Sequence, residues 1–511
     1  MSVIVRIIMY INCRSLWLDE AALAESIVLR NWLELLATPL SNGQFAPVLY
    51  VIVVKAIGSV FGYSERSLRI FSFFAFIGLL ILEVIFLKKI FNFNNCKIAF
   101  VLVMSALLPS YIWYSNELKP YMSDVFFVLL IILLYFYYTQ GKIKLPILTI
   151  SYILILGFSS PAVFFIGGTL LFEFVSAILN KNKKQILYIA ISGIAILAVF
   201  ALYYHWWMEP VSEGMKNYWD NEARNISIIR RIMSIFSCMR YIYGNVFIWG
   251  FVWFLVPFAL LGIYSLCKSK NKIACSLIFS LSLAILASSI GKWPLAARLW
   301  LFLPAIVFIF TPIGTDIILN KVKNKKVISA IGFSFFLVLT LCLSINCLDF
   351  AKHRMYFPTT EINLLIFYVQ ENIKDDEKLY VYGNTIGPFL YKNGYNATKI
   401  GNAANNNIIY GKNYEEWEAD VLGNELQSIL ENKKTYLLFA SFARSSHSDE
   451  FEKWLGLAVL RKYGIPIKPL SVLHIDGIEN GLTVLQKYGT LTEIMNVYDT
   501  PLYYFERNEV P

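Results

Sequence analysis

Residues 114–144 read YSNELKP, then YMSDVFFVLLIILLYFYYTQ, then GKIK, and this stretch decides the fold. Its middle is an apolar run of about 20 residues, the length that crosses a hydrocarbon core of roughly 30 Å as a helix. One flank carries Lys142 and Lys144; the other is an aromatic turn with a glutamate, a lysine and a proline. Lysine-rich connections face the cytoplasm, and aromatic residues gather at both membrane interfaces. The stretch therefore reads as a span with Lys142 inside and residues 114–121 outside.

Working outward, the same alternation repeats. Apolar stretches long enough to span fall at 67–88, 97–114, 121–140, 145–160, 161–179, 186–206, 246–267, 273–291, 298–319 and 327–348, ten in all. One set of connections holds Lys88, Lys89 and Lys97, then Lys142 and Lys144, then Lys181, Lys183 and Lys184. It continues with Lys268, Lys270 and Lys272, then Lys321, Lys323, Lys325 and Lys326. These are cytoplasmic. The other set holds 114–121, Ser159-Ser160, the loop 205–245 and 291–298, and faces outward. Residues 14–66 and everything beyond Asp349 lie on that outer side too.

Composition agrees. Apolar residues make up 57% of 511 and charged residues 16%, where a soluble chain carries about 25%. The mean hydropathy is +0.56. The net charge of +10 sits in short clusters between spans, so it reports orientation and not nucleic-acid binding. Seven cysteines show no CxxC or CxxH spacing and four histidines are scattered, which argues against a disulfide framework or zinc site. No GxGxxG or Walker pattern is present.

Three regions follow. In 1–66, residues 1–10 are apolar but too short to span, and the expectation is a chain that begins part-way through a first helix. Residues 20–37 place Leu23, Ile27, Val28, Leu35 and Leu36 on one side and Glu20, Arg30 and Glu34 on the other. That stretch and 48–61, which carries Lys55, are expected as helices lying in the outer interface. Region 67–348 is the helical bundle. Region 349–511 reads as an exported α/β domain. Its helices are expected at 359–372, capped by Thr359 or Thr360, and 450–463, with strands at 378–382 and 435–440. A lid, an acceptor-binding module or a stabilising appendage all fit it.

Several groups could carry chemistry. Asp19 and Glu20 stand in Ser15-Leu16-Trp17-Leu18-Asp19-Glu20-Ala21 at the threshold of the membrane. Carboxylates beside hydrocarbon cost several kcal/mol unless they face water, a metal or a substrate. They could simply favour a helix N-terminus; as a general base, one could take the proton from an attacking hydroxyl. Glu117, Lys119 and Tyr121 flank Pro120 in the outer turn, where a lysine opposes the orientation bias. Lys119 is either an interfacial anchor or a point charge for a phosphate. Arg298, at the outer mouth of a span, either snorkels or forks onto a phosphate. Arg66 and Arg69 pose the same choice, Arg69 being the better candidate. The aromatic loop from His205 through Asp220 is either belt or a stacking surface.

In four segments the chain resembles the GT-C superfamily of polyprenyl-phosphate-sugar-dependent glycosyltransferases, which includes protein O-mannosyltransferases and the lipid A aminoarabinose transferase. They are Ser15 to Ala21; Phe45-Ala46-Pro47-Val48-Leu49-Tyr50 with Phe61-Gly62 and Leu68-Arg69; 114–121; and 298–304. The resemblance covers roughly residues 10–350. It implies a polytopic α-helical bundle of the GT-C type with a C-terminal extracytoplasmic α/β domain, in the cell membrane. It implies sugar transfer on the outer face from a polyprenyl-phosphate donor to a glycolipid, glycan or protein acceptor, with inversion. Asp19 inherits the role of general base and Glu20 a supporting one near donor or metal. Lys119 and Arg298 look like the positions that grip lipid phosphate. Two departures stand out: the usual first transmembrane helix is mostly absent, and Phe45-Ala46 replaces a charged or His-Pro entry. No cofactor is firmly implied, and a divalent metal is left open.

Two rivals remain. A transporter or flippase of lipid-linked sugars places ionisable groups near the midplane, whereas Glu83, Glu173 and Asp316 fall near the lysine-rich ends and Asp124 near the outer end. A membrane-anchored scaffold has no use for Asp19, Glu117, Lys119 and Arg298 on one face.

Overall fold

The computed structural model describes residues 2–211, 246–294, 297–320, 362–401, 406–411, 434–439, 482–483, 485–497 and 500–508, with scattered positions between 332 and 345 and at 425, 429 and 432. The chain divides into two compact units. One comprises Met1–Ile11 with Leu33–Lys352, and the other Asn12–Trp32 with His353–Pro511. The opening region 1–66 is thus shared between them.

The first unit is a helical bundle. It contains α1 (Ser2–Asn12, whose last residue falls to the other unit), α3 (Trp32–Ala37, entered from it), α4 (Val48–Phe61), α5 (Glu65–Lys89), α6 (Asn95–Leu107), α7 (Pro109–Tyr114) and α8 (Tyr121–Thr139). It continues with α9 (Leu145–Leu156), α10 (Ala162–Leu179), α11 (Lys183–Tyr203), α12 (Val246–Lys268), α13 (Lys272–Ser289) and α14 (Leu303–Leu319). Among the described residues, five helices are long and apolar enough to cross a membrane: α5, α8, α10, α13, and α11 with the turn that extends it. The chain is a multi-pass membrane protein.

Several of the ten expected runs give shorter or divided helices, and the reasons are local. The run 97–114 is divided at Pro109, which opens α7 after Leu108 turns extended. The run 145–160 yields a helix of 12 residues that ends at Gly157. The run 298–319 begins with a 3₁₀ turn, Ala297–Trp300, leaving 17 residues for α14. The run 246–267 forms a helix of 23 residues with Pro257 inside it, and 327–348 lies mostly outside the described residues.

Small residues bring helix backbones together, as bilayer packing requires. A Cβ at Gly314 on α14 would strike the Phe258 carbonyl of α12, and one at Gly262 would come 2.5 Å from the Phe310 carbonyl. On the lysine-rich side two acids pair with lysines. Lys97 pairs with Asp316, and Lys272 lies 3.2 Å from Glu173. Glu173 also accepts from Tyr135 at 2.8 Å and from Gln185 at 3.0 Å. Within α5, Glu83 accepts from Ser105 at 2.6 Å.

The second unit contains α2 (Leu18–Leu29), α15 (Ile362–Asn372) and α16 (Ile386–Asn393) around a five-stranded sheet. Its strands are β1 (Lys378–Val381), β2 (Ile408–Tyr410), β3 (Lys434–Leu438), β4 (Gly489–Val497) and β5 (Thr500–Arg507), ordered β2-β1-β3-β5-β4. β1 is parallel to β2 and β3, while β5 is antiparallel to β3 and β4. The α/β expectation holds, with a C-terminal hairpin added. Leu365, Ile366, Val369, Leu379, Val381, Phe389 and Leu438 form one core face. The Thr359/Thr360 cap and the helix at 450–463 lie outside the described residues.

Candidate active site

In the bundle the turn after α7 is built by unsatisfied backbone finding partners. α6 stops two residues before Pro109, which has no N–H to continue the ladder. The carbonyl of Ala106 is taken instead by Arg6 Nη1 at 2.7 Å. Arg6 is fully buried on a helix otherwise apolar around it, with its guanidinium 3.7 Å over the Phe76 ring. Its Nε donates to Ser115 Oγ at 3.2 Å. Ser115 Oγ donates to Ile112 O at 2.9 Å, and Asn116 Nδ2 reaches the same carbonyl at 3.1 Å. One arginine thus fastens both ends of α7. Sequence reading missed it because residues 1–10 show only an apolar run.

The turn presents Glu117, Lys119 and Tyr121, all buried. The Lys119 N–H donates to Glu117 O at 2.8 Å, and its carbonyl accepts from Ser72 Oγ at 3.1 Å. Because the Ser72 proton goes there, Tyr50, 3.2 Å away, is the donor in the Tyr50–Ser72 bond. Lys119 Nζ donates to Gln44 Oε1. Gln44 belongs to the loop before α4, and Trp207 holds that loop by donating to Ala46 O at 2.8 Å. Neither Gln44 nor Ser72 carries a sequence signal of its own.

Arg298, on the 3₁₀ turn, lies with its guanidinium carbon 5.8 Å from the Tyr121 ring centroid, within cation–π range. Tyr121 meets Tyr114 edge-on at 5.1 Å. Tyr111 ties the same region to α14 by donating to Leu301 O at 3.0 Å. Arg69, buried on α5, stands one turn before Ser72. Arg69, Lys119 and Arg298 thus stand on α5, the 114–121 turn and the 3₁₀ turn; Ser72 links α5 to the turn, and the Tyr121 ring links the turn to Arg298. Arg66 instead ties α5 to the end of α1, donating to Ile11 O at 2.7 Å, while Tyr10 donates to Arg66 O at 2.8 Å. His205 and Glu209 pair at 2.7 Å across a π-helical turn at Tyr204–Met208. Residues 212–220 of that loop lie outside the described residues.

Asp19 and Glu20 belong to the other unit, in the first turn of α2. Asp19 is half-buried. Glu20 is fully buried; its carboxylate lies 2.7 Å from Arg14 Nη1 and accepts from the Trp17 N–H at 3.4 Å. Leu23 and Ile27 are buried, and α2 packs on α16. Within the stretch 20–37, Leu23, Ile27 and Leu35 meet protein, whereas Leu29, Trp32 and Leu33 are exposed. Among the described residues, no three His, Cys, Asp or Glu side chains gather as a metal site.

No protein-family model matches the sequence, and no curated protein sequence matches it. Solved structures do. A crystal structure of ArnT from Cupriavidus metallidurans in the apo state aligns with a TM-score of 0.51 over 98% of this chain and 97% of that one, at 9% identity. The same protein bound to undecaprenyl phosphate aligns with a TM-score of 0.52 over 98% and 96%, at 8% identity. The chain shares the fold of ArnT. At such identity the likeness concerns the fold alone, and its near-complete coverage extends it over the whole chain.

Proposed function

We propose that this chain is an integral-membrane glycosyltransferase that moves one sugar from a polyprenyl-phosphate donor to an envelope acceptor on the outer face. The observation that carries this reading is end-to-end likeness to a protein solved with undecaprenyl phosphate. The cations Arg69, Lys119 and Arg298 in the bundle unit support it.

In this reading Asp19 takes the proton of an acceptor hydroxyl as the oxygen attacks the anomeric carbon. The bond from that carbon to the phosphate oxygen breaks, and polyprenyl phosphate leaves. A single displacement inverts the anomeric centre. Lys119 supplies a point charge and Arg298 a planar fork to the departing phosphate, whose charge grows as the bond breaks. Glu117 and Tyr121 shape that grip. Glu20 supports Asp19 from the buried side of α2. The acceptor is a glycolipid, a glycan or a protein.

Asp316 and Glu173, on the lysine-rich side, each pair with a lysine, which speaks against their use as a transporter's carboxylate relay. Release of polyprenyl phosphate from a panel of polyprenyl-phosphate sugars, by the purified protein in nanodiscs, tests the reading. Turnover is expected with wild type and not with Asp19→Asn. Equal turnover by both overturns the role of Asp19.

A further inference from the structure

Residues 12–32 sit between two bundle segments in sequence, yet they belong to the compact unit of the C-terminal domain. Three interactions tie the segment to that domain. Ser15 Oγ accepts the N–H of Asn363 at 3.3 Å, at the start of α15. A Cβ on Gly387 would stand 3.6 Å from Ala21 Cβ, an ordinary contact, so the first turns of α2 and α16 lie close enough that a much larger side chain at Gly387 meets α2. Burial, and then the charge of Glu25 further along α2, push up the phenol of Tyr395, just beyond α16. Beneath the first turn, Arg14 and Glu20 form a buried ion pair.

We infer that the C-terminal α/β domain is the platform of the catalytic base: Arg14, Glu20 and Gly387 are positioning residues that hold the first turn of α2, and Asp19 with it. This rests on the proposed role of Asp19. The physical ground is the cost of the arrangement. A buried carboxylate–guanidinium pair is costly to desolvate and is tolerated where geometry must be held. A glycine facing an alanine lets two helices approach closely at the turn that carries the acid. The domain is then part of the catalytic apparatus, and damage to it affects chemistry before it affects donor binding, whose cations belong to the bundle unit.

Removing one partner alone would strand a buried charge, so the pair is replaced whole, by Arg14→Met with Glu20→Met. Gly387→Leu is a second, independent variant. Full-length proteins in nanodiscs are compared for polyprenyl-phosphate binding, donor KM and kcat. A displacement of about 1 Å can cost roughly a hundredfold in rate. The expected result is a kcat loss of that order in both variants, with binding and donor KM within about twofold of wild type, and with Arg14→Lys recovering most of the rate. Unchanged kcat in both variants overturns the inference, and so does loss of binding together with turnover. Full activity in Asp19→Asn would instead sink the underlying reading, which keeps the two failures apart.

Discussion

Lys119 is a buried cation whose carbonyl, N–H and ammonium are all engaged, so its head group has a fixed address before any ligand arrives. Lys119→Met is expected to cost about 2 kcal/mol in phosphate recognition, roughly thirtyfold in donor KM, with fold intact. Saturation kinetics in nanodiscs check this. Arg298→Lys keeps the charge but loses the planar fork and the ring contact with Tyr121. A drop of roughly tenfold in kcat/KM is expected, about 1.4 kcal/mol. Both residues stood out in the sequence because they fall on connections without the lysine clusters. Arg6 and Gln44 were not. A single arginine in an apolar run looks like a membrane anchor, and nothing local announces that Pro109 leaves a distant carbonyl needing it.

At the scale of elements, proline and glycine made the difference between expected and observed helices. Apolar length alone reads 97–114 as one span, whereas Pro109 forces a break that Arg6 then bridges. Ser115→Ala and Arg6→Leu should therefore each raise donor KM, and the double variant should be no worse than Arg6→Leu alone, because both remove one link. Additive losses would contradict the bridge. The contact of α12 with α14 depends on Gly314, where a Cβ would meet the Phe258 carbonyl. Gly314→Ala is expected to cost about 1–3 kcal/mol of stability, seen as a lower thermal midpoint in detergent. The five long spans were readable because nothing interrupts their apolar runs. The C-terminal hairpin was not, since Tyr498-Asp499 between its strands lacks the Asn-Gly type of turn signal.

For the whole molecule, the sequence separates a membrane bundle from a C-terminal α/β domain but cannot show that 12–32 belongs with the latter. That grouping depends on pairs such as Ser15 with Asn363, distant in sequence and ordinary in type. The domain's sheet carries its own signature. Burial, then Glu377 and Tyr368, push Tyr436 up to about 12, and its ring lies 4.8 Å from that of Tyr504. Tyr504, raised by burial, also donates to Glu377 at 2.8 Å. A tyrosine whose folded value exceeds the unfolded value of about 10 contributes stability fully below that pH, and loses it as pH rises through the folded value. Unfolding midpoints of the full-length protein should fall between about pH 10 and 12, less steeply in Tyr504→Phe. The most direct test of the account is single-turnover release of polyprenyl phosphate from a polyprenyl-phosphate sugar by wild type and Asp19→Asn, alongside donor binding. The account predicts equal binding and a loss of roughly 10²–10⁴-fold in rate for the variant. Equal rates, or a wild-type protein that neither binds nor cleaves any such donor, would contradict it.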